Sequence, residues 1–384
     1  MRRSRLAMAL ALAFPPPFAA LAQDAPARAL GVVTITGGQP TSLPTQIPTT
    51  MEGIDREQIE RGINATDSSD ALKYFPSLLV RKRYIGDYNH AILSSRASGT
   101  GNSARSLVYA DGILLSNLLG NGVGGLSFPP RWGLVTPEEI ERVDVMYGPF
   151  SAAYPGNSVG AVVDYVTRMP TRLEGHAKAT YTVQPFRLYG TDTTLRSWQA
   201  SASLGSRSGD WSWWLDANRT DSEGQPLTFA TRLASTGTAG GAGVPVTGAV
   251  ASANGAGQPW FVVGSGTKYT TRQDHVKAKL AYDVTGTLRA TYVLGWWQNA
   301  ALGQSASYLR NAAGAPVTAG AVSIAGSGYA ALNGADLPQT SERLTHVMHG
   351  LSLKTRTQGV FDWEASASTY DYRRDQKRQN AAGN

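Results

Sequence analysis

Apolar and polar residues alternate with a period of two in one segment after another beyond Leu173. Successive side chains of a β-strand point to opposite faces, so each segment predicts a strand with one apolar and one polar face. Seven strands are predicted in this way, over residues 177–183, 198–204, 211–217, 276–282, 288–296, 347–353 and 361–367.

The predicted strands are joined by connections of two very different lengths. Tight turns are expected at 207–209, 285–286 and 357–359, whereas 221–272 and 299–343 are long and rich in glycine, alanine and serine. Transmembrane barrels have this asymmetry, with short turns at one end and long loops at the other. A soluble β-sandwich also alternates apolar and polar residues and is the competing interpretation.

Aromatic residues near the strand ends favour the barrel over the sandwich. They are Trp211, Trp296, Trp297, Phe361 and Trp363. Aromatic side chains are enriched where a barrel wall meets the two membrane surfaces, so we expect these five to form interfacial girdles.

The segment from Met51 to about Pro170 has a mixed pattern that predicts a compact α+β domain. Asp55 and Asp67 are capping residues at the starts of two predicted helices. An Asp111-Gly112 pair between the apolar runs 107–110 and 113–115 predicts a hairpin. Residues 136–139 form a capping box with proline at its first helical position, and a strand is expected over 142–147.

The N-terminus has the features of a secretory signal peptide. Three arginines at positions 2, 3 and 5 precede an apolar run over 6–14 and a small-residue site at 20–22, which predicts cleavage before Gln23. A membrane anchor would need about 20 apolar residues, and prolines at 15–17 interrupt the run. No other stretch could span a bilayer as a helix, so an integral mature protein would have to be a barrel.

Composition agrees with an exported β-protein. The chain combines 42 glycines with 9 tryptophans and 16 tyrosines, as turns and strands require. The net charge of +7 falls to about +4 without the three leader arginines, which is too mild to indicate nucleic acid as a partner. The absence of cysteine fits an oxidising compartment without disulfides, but many cytosolic domains also lack it.

Residues 140–149, IERVDVMYGP, and 151–164, SAAYPGNSVGAVVD, resemble the plug signature of TonB-dependent outer-membrane receptors. Other pieces follow the family's order: residues 70–80, Arg96 and residues 108–112. The resemblance covers roughly 48–170 and implies four parts. They are a signal peptide (1–22), a periplasmic linker (23–47), a plug domain (48–172) and about seven barrel strands (173–384).

The resemblance implies an α+β plug domain followed by antiparallel transmembrane β-barrel strands. A plug of some 120 residues requires a lumen of the 22-stranded kind. At the spacing seen here such a barrel takes roughly 600 residues after the plug. We therefore expect the barrel to be incomplete in this chain.

The resemblance also implies a function in the bacterial outer membrane, without covalent chemistry and without a cofactor. Such receptors import a scarce substrate with energy from the inner-membrane proton-motive force, delivered by TonB with ExbB and ExbD. The β-branched patch of the linker resembles the TonB box, an extended segment that adds a strand to TonB. Its residues are Val32, Val33, Thr34, Ile35 and Thr36. An outer-membrane pore or enzyme without TonB coupling is the alternative.

Substrate contacts are expected in two loops of the plug, because loops rich in aromatic and charged residues concentrate binding functions. The candidates are Tyr84, Asp87, Tyr88 and His90 in one loop, and Asn117, Asn121, Arg131 and Trp132 in the other. A ferric siderophore is the leading substrate, and cobalamin, haem or another metal chelate stays open.

Two sequence patterns could instead indicate a catalytic or a metal site. Residues 156–160 match the G-x-S-x-G pattern of a nucleophile elbow, but that motif needs a helix after the serine and a β-branched run follows here. His346, Met348 and His349 could be metal ligands. Their spacing of two and three on a strand splits them between the two faces, which predicts isolated residues on a barrel wall.

Overall fold

The computed structural model describes residues 41, 43, 49–88, 92–97, 105–116, 130–148, 154–156, 158–357 and 359–380. The predicted signal peptide, the predicted TonB box, His90, Asn117 and Asn121 lie outside these residues. Among the described residues, no helix is both long enough and apolar enough to cross a membrane.

The first part of the described chain, called here the inner domain, is built on a five-stranded sheet in the order β1-β6-β7-β4-β5. Its strands are β1 (Met51–Asp55), β4 (Ser106–Ala110), β5 (Ile113–Leu114), β6 (Ile140–Tyr147) and β7 (Ala161–Thr167). A separate hairpin pairs β2 (Leu78–Arg81) with β3 (Ile92–Ser95). Only the β4–β7 pair of the larger sheet is parallel, so the domain has the expected α+β character.

The local signals of this domain form the elements they predict. Helix α1 (Arg56–Gly62) begins after Asp55, which shares a capping box with Gln58. The second predicted helix, Ser68–Leu72 after Asp67, is a 3-10 turn. The capping box at Thr136 is also present, but it starts only the single turn Pro137–Glu139. Asp111 and Gly112 both have positive φ, 50° and 83°, as a tight hairpin turn requires.

Seven long strands follow, and each is antiparallel to the next, as predicted. They are β8 (Glu174–Leu188), β9 (Thr191–Ser208), β10 (Trp211–Glu223), β15 (Pro259–Asp283), β16 (Leu288–Ser307), β19 (Thr340–Thr355) and β20 (Glu364–Gln379). We call these strands the wall. The inner-domain sheet ends at Thr167 and the wall begins at Glu174, on either side of the predicted boundary at residue 172.

The polar faces of the wall strands are the buried ones. Gln199 and Ser201 are buried against the inner domain, while Trp198 is 42% and Leu204 47% exposed on the opposite face. A sandwich would bury its apolar face instead. An apolar exterior around a polar interior is the arrangement of a transmembrane barrel.

One expectation for the aromatic girdles is wrong. Trp296 faces outward, but the neighbouring Trp297 is buried on the inner face of the wall. Consecutive strand residues must point to opposite faces, so only one of the two can reach the membrane. Trp214 is also fully buried on the inner face, where its ring lies 5.2 Å from the Arg168 guanidinium.

The two long connections are shorter than predicted, because β10, β15, β16 and β19 extend into them. They also fold together. β12 (Thr238–Ala239), β13 (Val244–Pro245), β17 (Gly320–Ile324) and β18 (Ser327–Leu332) form one sheet, while β11 (Thr228–Leu233) and β14 (Val250–Ala253) pair with β15. Side chains of both connections form a small hydrophobic core that includes Leu309, Val322 and Tyr329. We call these two packed connections the lobe.

Candidate functional site

An arginine of the inner domain stacks on two tyrosines of the last described strand. The guanidinium carbon of Arg131 lies 3.8 Å from the ring centroid of Tyr370 and 5.5 Å from that of Tyr372. Its Nε donates to the Tyr372 hydroxyl at 3.2 Å, and Nη1 to the Ser116 carbonyl at 3.4 Å. This cation–π geometry fixes the charge while leaving part of the guanidinium available to an anion.

Further aromatic rings extend this arrangement along the inner face of the wall. Tyr88 lies 4.6 Å from Trp297 and 5.9 Å from His346, measured between ring centroids. The Tyr370 hydroxyl and His346 Nδ1 are 2.6 Å apart. Lys377 adds a second cation, 5.9 Å from the Tyr88 ring. We call these rings with Arg131 and Lys377 the aromatic cluster.

Of the residues predicted to contact substrate, Tyr88 and Arg131 lie in this cluster, whereas its wall residues are absent from that prediction. Tyr370 and Tyr372 are two positions apart on one strand, which places them on the same face. That spacing was a usable signal. The sequence predicts an exterior Trp297 and an isolated His346, because the register that brings both side chains inward is not visible in it.

Two other residues that were predicted to contact the substrate make interactions within the protein. Tyr84 is buried and stacks on Tyr269, with 5.5 Å between the ring centroids. Asp87 is buried and accepts hydrogen bonds from Arg83 Nε at 2.9 Å and Nη2 at 3.2 Å. Burial raises the pKa of the Tyr84 and Tyr88 hydroxyls, so both remain neutral at physiological pH.

Arg131 and Trp132 point in different directions, although they are adjacent in sequence. Trp132 is buried in the hydrophobic core, where its ring meets Tyr165 edge-on at 6.4 Å. In this conformation the indole presents no surface to a ligand. Direct substrate contact by Trp132 stays a prediction that would require the ring to leave the core.

Two ion pairs join the inner domain to strand β15; the first is fully buried, and the second is half-buried at its carboxylate. Lys277 Nζ lies 2.8 Å from Glu139 Oε2 and donates to the Leu134 carbonyl at 3.3 Å. Lys279 Nζ lies 3.1 Å from Asp111 Oδ2. Burial alone would raise the pKa of Asp111, but the nearby lysine charges and hydrogen bonds from Thr167 hold it below its ordinary value.

Other wall side chains donate to main-chain carbonyls of the inner domain. Lys178 reaches the carbonyl of Ala65 and Ser222 that of Ile85, both at 2.7 Å. Gln273 donates to the carbonyl of Gly86 at 2.9 Å. Main-chain carbonyls in buried loops need hydrogen-bond donors, and the wall supplies one to each of these three; the Gly86 carbonyl also accepts from the Tyr88 amide at 2.8 Å.

Apolar side chains of the inner domain pack against β16 and β19, and three glycines allow the close approach. We call this contact, which includes Ile113, Leu134 and Trp297, the apolar seam. A Cβ at Gly133 would overlap the Trp297 ring, and one at Gly350 would overlap Cδ1 of Ile113. At Gly295 a Cβ would lie 3.2 Å from Leu134 Cδ2. Each glycine leaves room for a large side chain across the interface, so the surfaces interlock without space for water.

The competing sites do not assemble in the described part of the chain. Ser158 is followed by strand β7 instead of the helix that a nucleophile elbow requires. His346 and Met348 are buried on the inner face, whereas His349 faces outward, with its Nδ1 2.7 Å from the Tyr292 hydroxyl. Among the described residues no three His, Asp or Glu side chains are grouped to hold a metal.

The sequence of the inner domain matches a known family. The family model described as TonB-dependent Receptor Plug Domain matches residues 44–162. The chain carries the plug domain of a TonB-dependent receptor. The inner domain is this plug domain, and the antiparallel strands of the wall follow it.

The chain is similar to several solved receptors at low sequence identity. The siderophore receptor PirA of Pseudomonas aeruginosa is 13% identical with a TM-score of 0.43, and the match covers 86% of this chain and 52% of PirA. The ferric preacinetobactin receptor BauA of Acinetobacter baumannii is 14% identical with a TM-score of 0.45, over 84% of this chain and 46% of BauA. The chain thus spans about half the length of these receptors. No curated protein matches its sequence significantly.

Proposed function

We propose that this protein is a TonB-dependent outer-membrane receptor that imports a scarce small molecule. The observation that carries the proposal is the plug domain fastened across the inner face of the wall by ion pairs and side-chain hydrogen bonds. A lumen filled in this way does not pass solutes by diffusion. Opening it requires work on the plug, which is what coupling to TonB would supply.

The polar character of most plug–wall contacts supports a plug that can be displaced. Lysine and glutamine side chains can exchange their plug partners for water at modest net cost. Among the described residues, the apolar contacts include the apolar seam and the stacked rings of Tyr84 and Tyr269. A plug held wholly by apolar packing would resist displacement more strongly.

The aromatic cluster supports an anionic metal chelate as the substrate, with a ferric siderophore as the leading candidate. Arg131 and Lys377 supply positive charge, and the flanking rings supply flat apolar surface at little entropic cost. Haem and other chelates would fit the same chemistry. Cobalamin carries less negative charge and would use the rings more than the cations.

Coupling is assigned to residues 32–36, whose β-branched run could pair with TonB through main-chain hydrogen bonds. ExbB and ExbD at the inner membrane would then supply the proton-motive force. Proline removes a main-chain donor, so Val33→Pro should abolish uptake and leave substrate binding at the cell surface intact. Ala27→Pro, in the same linker but outside the patch, is the matched control.

The test is uptake by the complete receptor expressed from its own gene. Cells carrying the parent, Val33→Pro or Ala27→Pro are supplied with a panel of labelled ferric siderophores, haem and cobalamin, with and without a functional TonB. Loss of uptake in Val33→Pro and in the TonB-deficient strain alone supports the proposal. Equal uptake without TonB would favour the alternative, an uncoupled pore.

A further inference from the structure

The outer face of the wall carries an apolar band with a defined lower edge. Trp211 and Tyr282 contact each other at this edge, with ring centroids 4.6 Å apart, beside the short turns. Above them, Leu280, Val276 and Leu294 are exposed on the outer face. In a barrel such a band contacts the hydrocarbon of the membrane and is about 25 Å tall.

A row of arginines begins where this band should end. Arg272 lies ten residues above Tyr282 on β15, which is about 33 Å along the strand. Barrel strands tilt by about 40°, so the height above the lower edge is about 25 Å. This places Arg272 at the level of the lipid headgroups on the side of the folded loops.

The strand register gathers three more arginines beside it on the same face. Arg272 is opposite Ala300, and Ala300 is opposite Arg343 on the next strand. Arg378 and Arg374 of β20 pair with Ser341 and Thr345, the outward neighbours of Arg343. Because Ala300 is small, a groove of about 450 Å³ opens between these arginines.

Most of this charge is not neutralised within the described chain. The Arg272 side chain is 62% exposed and forms one ion pair, with Asp221, at 3.5 Å between Nε and Oδ2. No described carboxylate lies within 4.0 Å of Arg343, Arg374 or Arg378. Arg219, at a similar height, is by contrast paired with Asp274 at 2.5 Å. The groove is therefore a site of net positive charge.

We infer that this groove, lined by Arg272, Arg343, Arg374 and Arg378, binds the phosphate groups of a phosphorylated lipid in the outer leaflet. Guanidinium groups bind phosphate oxygens in bidentate geometry. The apolar band directly below would receive the acyl chains of the same molecule. Continuity of the two surfaces favours a lipid over a soluble anion. The inference rests on the outer-membrane placement proposed above.

The test is lipid retention by the complete receptor, purified in mild detergent without substrate or TonB. The receptor is reconstituted in nanodiscs of neutral phosphatidylcholine containing lipid A or enzymatically dephosphorylated lipid A, and bound lipid is counted by native mass spectrometry. The variants are Arg343→Gln, Arg374→Gln, Arg378→Gln and their combination. Arg187→Gln, an exposed arginine in the β8–β9 hairpin, is the control for loss of one charge.

We expect the parent and Arg187→Gln to retain phosphorylated lipid A, and the triple variant to bind it on the order of a hundredfold more weakly in low salt. Heat-modifiable migration of each variant verifies that its barrel is folded. Equal retention of dephosphorylated lipid, or unchanged retention by the folded triple variant, would overturn the inference. So would complete displacement of the lipid by millimolar inorganic phosphate, which would indicate a soluble-anion site.

Lipid retention is measured without transport, so its failure can be told apart from failure of the proposed import function. A receptor that retains lipid A but takes up no substrate would refute the import proposal alone. One that imports a chelate but shows no arginine-dependent retention would refute only the lipid site.

Discussion

The ammonium group of Lys277 lies 2.8 Å from a carboxylate oxygen of Glu139, and both side chains are almost fully buried. Lys277 belongs to the wall, whereas Glu139 closes the capping box at Thr136 in the plug. The second oxygen of Glu139 accepts the Thr136 amide at 2.9 Å. One carboxylate therefore stabilises a local turn and also joins the plug to the barrel.

Replacement of Lys277 by methionine should loosen the plug, because it leaves the Glu139 charge buried without its partner. Breaking a buried pair from one side typically costs about 3–5 kcal/mol. We expect a lower melting temperature of the detergent-solubilised receptor and greater sensitivity of cells to large antibiotics.

The double variant Lys277→Met with Glu139→Gln should recover much of this loss, since no uncompensated charge remains. Glu57→Gln, which breaks an exposed ion pair with Arg61 in the same domain, serves as the control. An equal loss in the single and double variants would show that the pair is not the source of the stability.

The close approach of Gly350 and Ile113 in the apolar seam predicts that a larger side chain at one position can be compensated by a smaller one at the other. Gly350→Ala should destabilise the docked plug by about 1–3 kcal/mol, as overpacking of a close-packed interface does. Ile113→Val removes Cδ1, the atom that the new Cβ would overlap, and should restore stability in the double variant.

Thermal unfolding of the four receptors, parent, two single variants and double variant, measures the coupling. Gly286→Ala is the control, because a Cβ there meets nothing within 4 Å. Additive effects of Gly350→Ala and Ile113→Val would mean that the two positions do not touch in solution.

Acid should weaken the attachment of the plug through Asp111. The pKa of this carboxyl lies below its ordinary value of 3.8. A lowered folded-state pKa contributes stability that is complete above the unfolded value and is lost as the pH falls through the folded value. Stability should therefore drop below about pH 3.8, and Asp111→Asn should remove that part of the drop while being less stable at neutral pH.

Melting temperatures of the parent and Asp111→Asn between pH 2 and pH 7 provide the measurement. The two curves should converge towards low pH, where both side chains are uncharged. Parallel curves across the whole range would show that Asp111 does not titrate differently in the folded protein.

Arg131 should contribute to substrate affinity, whereas Trp132 should contribute to plug stability. Arg131→Gln is expected to weaken binding of an anionic chelate by about 1.5–3 kcal/mol, the range for hydrogen bonds to charged groups. Trp132→Ala is expected to cost about 3–5 kcal/mol of stability, because it empties a core position.

Equilibrium binding of the substrate found in the uptake panel, by tryptophan fluorescence or calorimetry, tests the arginine. Arg61→Gln, exposed on α1, controls for the change in charge. If Arg131→Gln binds as tightly as the parent, the aromatic cluster is not the binding site and the lobe becomes the better candidate.

Strand positions and turns could be predicted because their signals are local. The period of two located all seven wall strands, and six of them extend beyond the alternation at their ends because pairing with neighbours prolongs them. The seventh was predicted over 361–367 but begins at Glu364 and continues to Gln379. Asp55, Asp67 and Asp111 formed the predicted caps and turn for the same reason. The site was predicted less well, because Arg131 meets Tyr372 across 241 positions of sequence.

Hydrophobic period, capping and turn chemistry act over a few residues, so a plug-like α+β segment and a wall of alternating strands can be predicted without the structure. The packed fold was needed to place Trp297 inward, to bury Trp132 beside an Arg131 that stacks on the wall, and to bring Lys277 to Glu139. These contacts join distant segments. They depend on strand register and on which volumes glycines leave free, and neither is fixed until the plug packs against the wall.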